Sequence, residues 1–92
     1  MNFIDIFNIA LTEAKYKEPE ALATSLDDTM DGLGIDSLDC VLLGSILADI
    51  FGIAEEKADE MPMTTLAELE AYINKHKTRD AESKEAVLSV IA

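Results

Sequence analysis

At 92 residues the chain can build one small hydrophobic core and is too short for two. Seven Lys and Arg against nineteen Asp and Glu leave a formal net charge of -12, far too acidic for a nucleic-acid partner held through its phosphates, so no nucleic acid is expected. A hydrophobic share of 49% is too high for an acidic disordered tail, so the chain should fold.

Phe3, Phe7, Ala10, Leu11 and Ala14 recur at helical spacing, which predicts an amphipathic helix from residue 3 to about Tyr16-Lys17. A polar stretch with Pro19, Thr24, Ser25, Asp27, Asp28, Gly32 and Gly34 follows and reads as a long ordered loop. Leu38, Val41, Leu42, Leu43, Ile46, Leu47, Ile50 and Phe51 then predict a second helix, apolar around most of its circumference and ending before Gly52. Such a helix is either central or carries a second face for a partner. Gly44 inside it is unfavourable by about 1 kcal/mol relative to Ala, which calls for close packing at that point. Glu55 to Met61 reads as a short helical turn stopped by Pro62. Thr65-Leu66-Ala67-Glu68 has the form of a capping box, and Leu66, Leu69 and Ile73 mark one face of a last main helix closing near His76. No alternating strand pattern appears. The expected class is therefore all-α: a four-helix bundle of three main helices and one short one, with a long loop between the first two. Residues 1–77 form its domain and 78–92 a C-terminal extension, either flexible or a short extra helix.

The lone Cys40 cannot form an internal disulfide, and with no metal-ligand cluster it points to a reducing compartment, so a cytoplasmic location is expected. Met1 to Phe7 carries Asp5 and no basic region, unlike a secretory signal. The apolar run from Val41 to Ala54 is interrupted by Asp49 and falls short of the roughly 20 residues a membrane span needs. Residues 18–74 hold fourteen acids against Lys57 alone, so the acidity belongs to the middle of the chain. It serves either as a solvated surface or as a docking surface for basic partners.

Leu33-Gly34-Ile35-Asp36-Ser37-Leu38-Asp39 lies at the junction of the long loop and the second helix. Gly34 lets the chain turn, Asp36 or Ser37 can cap the helix, and Asp39 places negative charge in its first turn. A plain, well-made helix start accounts for all of this. The same start also exposes a serine hydroxyl beside free amide donors, a good place to tether a phosphorylated group.

Here the sequence resembles the acyl carrier proteins, whose motif is Asp-Ser-Leu preceded by Leu-Gly-x and followed by an acid. Phe51, Thr64-Thr65, Tyr72-Ile73-Asn74 and His76 also fall where that family places them, so the resemblance covers about residues 3–77. It implies that Ser37 is the attachment point for 4'-phosphopantetheine, added by a separate phosphopantetheinyl transferase, and that the arm's thiol carries acyl groups as thioesters. It further implies that Asp36 orients the serine and that Leu38 anchors the helix start and touches partners. Asp39, Leu42, Asp49, Glu55 and Glu56 become the docking residues for acyl synthases and acyltransferases with basic patches. The implied protein is a monomer and not an enzyme, consistent with the lack of a nucleophile paired to a base. Fatty-acid carriers place glutamates where Leu42 and Ala48 stand, a buried Phe where Thr29 stands, and an acid where Gly32 stands. These departures point to a specialised lipid or polyketide pathway at least as much as to housekeeping fatty-acid synthesis.

Other readings are weaker. Asp27 to Gly32 begins like a calcium loop, but the twelfth position, which needs a bidentate acid, is Leu38, and no metal site is expected. Cys40 is either a thiol activated by the helix N-terminus or, more simply, a small apolar side chain. His76 suits a helix C-terminus, and Met61 and Met63 fill core or line an acyl cavity. The acid on each side of Ser37-Leu38 favours an acyl over an aminoacyl or peptidyl carrier. A helical interaction module without a prosthetic group is the alternative from a different class.

Overall fold

The computed structural model describes residues 2–15, 21–81 and 83–91. Helix α1 (Phe3–Ala14) starts at Asn2, whose side chain accepts the Asp5 amide, and closes with Lys15 as C-cap. The expected end at Tyr16-Lys17 lies outside the described residues. After a loop holding a 3-10 turn at Asp31–Leu33, α2 (Ser37–Phe51) runs through the middle of the molecule. A one-turn α3 (Glu55–Ala58), α4 (Leu66–His76) and α5 (Lys84–Ile91) complete the order. The class is all-α, and no strand occurs among the described residues beyond one isolated bridge between Thr29 and Thr65. No helix of the described residues is long and apolar enough to cross a membrane.

The C-terminal extension holds a short extra helix, one of the two states expected for it. The tail's sequence pattern alone left it undecided, but Val87 of α5 is fully buried and Ala81 nearly so. Both belong to the same core cluster as Phe7, Leu11, Leu43, Leu47, Leu66, Leu69 and Ile73. Burying an aliphatic side chain such as Val87 contributes about 1.5–3 kcal/mol and ties the tail to the shared core. Helix α2 packs on α1, α3 and α5 and is the central element.

Two local expectations are corrected. The helical turn after Ala54 ends at Ala58, short of Met61, whose side chain is buried in the core. At α4 the Thr65 hydroxyl accepts the Glu68 amide at 3.2 Å, but the Glu68 carboxylate accepts from the Thr64 hydroxyl instead of reaching back to the cap. The complete reciprocal box sits at α2, between Asp36 and Asp39.

The loop before α2 is stitched down by its own backbone. The Leu66 and Ala67 amides at the start of α4 donate to the Asp28 and Leu26 carbonyls at 3.1 and 2.9 Å. Met30 donates to Thr64 and its side chain is buried, so the loop's core plug is Met30 and the neighbouring Thr29 is exposed. On the other side, the Asn8 side chain pairs with both backbone groups of Ala23, at 2.8 and 2.9 Å. From Ala23 onward the loop is thereby fixed against α1 and α4 as it leads to Ser37.

Candidate functional site

Gly34 turns the chain with φ of 72°, a left-handed conformation that favours glycine. Ile35 then buries its side chain, and Asp36 takes extended backbone as the N-cap of α2. The Asp36 carboxylate accepts the Asp39 amide at 2.9 Å, and the Asp39 carboxylate accepts the Asp36 amide at 3.4 Å. Asp36, and not Ser37, is therefore the cap. That leaves Ser37 as the first helical residue, exposed, with a hydroxyl that makes no hydrogen bond among the described residues. The Cys40 amide closes the first helical turn on the Asp36 carbonyl at 2.9 Å, while the Ser37 and Leu38 amides have no partner among the described residues. They are the orphan donors of a helix start, and they point the positive end of the helix dipole at the space around Ser37.

Asp39 was expected on the docking surface. Its carboxylate instead faces inward to Lys15, with an Nζ to Oδ2 distance of 2.8 Å and only 14% of the side chain exposed. The Lys15 ammonium holds the Asp39 carboxyl below its usual value, partial burial opposes this, and the Asp36 amide adds to the lowering. The pair ties the end of α1 to the start of α2, so the serine rests on a platform anchored from two helices. Nothing in the sequence pattern flagged Lys15, because the partners stand 24 residues apart.

Cys40, one turn beyond Ser37, is partly buried. Burial first, and then the negative charges of Asp36 and Asp39, push its thiol above the usual value, so the thiolate is disfavoured and the residue behaves as a small apolar side chain.

Along α2 the exposed large apolar residues are Leu38 and Val41, each 69% exposed, and Leu42 at 36%. Val41 is as accessible as Leu38 and belongs to the same exposed face, although its place in an apolar run gave no sign of this. Ala48, compared above with a docking glutamate, is buried and contributes no outward apolar contact. Asp49, Glu55 and Glu56 are exposed. A cleft of about 370 Å³ opens between α2 and α3, with Val41, Ala48 and Ile53 on its apolar walls and Asp49, Glu55 and Asp59 on its polar ones; Gly44 also lines it. Gly44 shows the close packing its position called for: a Cβ there would stand 3.2 Å from the terminal methyl of Met63. Met63 is partly buried against the core, and Met61 is buried in it. The Tyr72 hydroxyl donates to the Lys57 carbonyl at 2.7 Å and fastens α3, the far wall of the cleft, to α4. His76 closes α4 with its ring 4.5 Å from that of Tyr72.

The site is thus an exposed serine on a rigid helix start, followed by an apolar strip and flanked by acids. Against known proteins, no family model, no curated protein and no solved structure matches this chain.

Proposed function

We propose that the chain is an acyl carrier protein, with 4'-phosphopantetheine attached to Ser37. The observation that carries the reading is the state of Ser37 within Leu33-Gly34-Ile35-Asp36-Ser37-Leu38-Asp39: exposed and, among the described residues, without a hydrogen bond and next to two unpaired helix amides. The residues present fit such a group, because the amides of Ser37 and Leu38 suit a phosphodiester and the Asp39 charge is already neutralised by Lys15. When bound, the arm supplies a terminal thiol that carries an acyl group as a thioester. In the loading reaction the Ser37 oxygen forms the phosphoester bond and gives up its proton, and the nucleotide half of coenzyme A leaves. In this reading the base that takes the proton belongs to the transferase. In this reading the protein is not itself an enzyme.

Leu38, Val41 and Leu42 form the apolar centre of the partner surface, and Asp36, Asp49, Glu55 and Glu56 supply the charge that basic patches on synthases and acyltransferases meet. Such contacts suit weak, fast docking with several enzymes. Lipid, fatty-acid and polyketide synthesis are the pathways this chemistry serves, in the cytoplasm.

The exposed face of Leu38 and Val41 also fits a helical interaction module with no prosthetic group. Intact mass after incubation with coenzyme A and a promiscuous phosphopantetheinyl transferase separates the two. The expected outcome is a gain of one phosphopantetheine that Ser37→Ala abolishes; an unchanged wild-type mass would sink the carrier reading. An aminoacyl or peptidyl carrier would be loaded in the same way and is told apart by which thioester its partner enzymes accept.

A further inference from the structure

The last turn of α2 leaves carbonyls that no residue of the helix can satisfy. The Ala48 carbonyl is taken locally by the Gly52 and Ile53 amides. All the later ones are taken by two residues that follow α4. The Arg79 guanidinium donates to the Asp49 carbonyl and, through Nε at 3.1 Å, to the Ile50 carbonyl. The Thr78 and Arg79 amides both donate to the Phe51 carbonyl, at 3.0 and 3.3 Å, and the Thr78 hydroxyl donates to the Gly52 carbonyl at 2.6 Å. Gly52 makes this possible twice over: its φ of 64° is left-handed, and a Cβ there would overlap the Thr78 hydroxyl.

The same turn separates two spaces. On one side lies the α2–α3 cleft, walled by Asp49 and Ile53. On the other, Ile50, Arg79, Ala81 and Val87 enclose a smaller cavity of about 190 Å³ under α5. The short link from Thr78 to Arg79 is therefore the point where the docking of α5 is transmitted to a wall of the cleft.

We propose that Thr78 and Arg79 are positioning residues, a strap that holds the C-terminal wall of the α2–α3 cleft, so that its release widens the cleft for an apolar guest. Arg79 suits the task because its planar fork reaches two carbonyls at once and its charge complements the negative end of the helix dipole. The strap rests on the carrier reading only for the identity of its guest, an acyl chain.

The test uses the full, unmodified chain, so its failure is distinct from failure of the loading experiment. In Arg79→Ala, the amides of Phe51, Ile53 and Ala58 should exchange with solvent at least tenfold faster, while those of Leu69 to Ile73 in α4 keep their rates. Arg79→Lys should recover less than half of the lost protection, because an ammonium cannot span both carbonyls. The neutral apolar dye Nile red should bind the Ala variant at least threefold tighter than the wild type. The milder Thr78→Val should show the same local pattern with a smaller amplitude, which keeps the test valid if Arg79→Ala folds poorly. Uniform acceleration in all helices in both variants would make the pair general stabilisers and overturn the proposal. Unchanged exchange, or unchanged dye affinity beside faster local exchange, would overturn it as well.

Discussion

At its N-terminal end α2 is capped by its own first turn, where Asp36 and Asp39 exchange hydrogen bonds across three residues. At its C-terminal end it is capped by Thr78 and Arg79, which stand 26 to 30 residues further along. The first arrangement uses one local motif and leaves Ser37 and Leu38 exposed, with no partner for their amides among the described residues. The second uses every late carbonyl and brings the tail, α5 and the cleft wall together. The contrast teaches that a helix start stays accessible when its cap comes from within, whereas an end capped from a distance becomes coupled to whatever supplies the cap.

Substitutions along α2 test that contrast. The largest loss should come from the stretch between the two ends, which both depend on. Leu47→Ala, at a fully buried position, should lower stability by about 2–5 kcal/mol in urea or thermal unfolding. Next is Gly52→Ala, which forces an ordinary residue into left-handed backbone at about 1–2 kcal/mol and also displaces the Thr78 hydroxyl. Its effect should appear in the unfolding midpoint and in faster exchange at Ile53; a neutral result would break the claim that the C-terminal end is locked. Asp36→Ala removes the N-terminal cap and should lower stability by about 1 kcal/mol in the same assay.

Asp39→Asn sharpens the comparison through pH. The folded-state pKa of Asp39 is lowered, so its stabilisation is complete above the ordinary aspartate value of roughly 3.9 and is lost as the pH falls through the lower folded value. Wild type should therefore be the more stable of the two at neutral pH, and the two unfolding curves should converge below about pH 4. A gap that persists in acid would remove Lys15 from the account of the site. Ser37→Ala is expected to do the least to the fold, within about 0.5 kcal/mol, because the hydroxyl has no partner among the described residues. Yet it should abolish loading completely, and that separation of stability from modification is the clearest mark of a site kept free.

How much of this was readable in advance differs between the two ends for a physical reason. The helix register of Phe3, Phe7 and Leu11, the stop at Gly52 and the cap pattern before Ser37 follow from interactions between residues three or four apart. The capping box was sought at Thr65 because Thr and Glu are its common members, and it stands at Asp36 with a pair of aspartates instead. Asp39 looked like a free surface acid until α1 brought Lys15 to it. Val41 and Leu43 are equally apolar neighbours in the chain, yet Val41 is 69% exposed and Leu43 fully buried, because three packed neighbours decide which face of α2 is covered.

The amino-acid sequence by itself determined the all-α class, the acidic middle of the chain and the serine at a helix start. These rest on composition and on hydrogen bonds that close within one turn. Only the tertiary structure decided that the tail is a fifth helix, that Asp39 is spent on Lys15, and that Thr78 and Arg79 close the far end of α2. Those contacts join residues more than twenty positions apart, and such residues meet only after the core around Leu43, Leu47 and Val87 has packed.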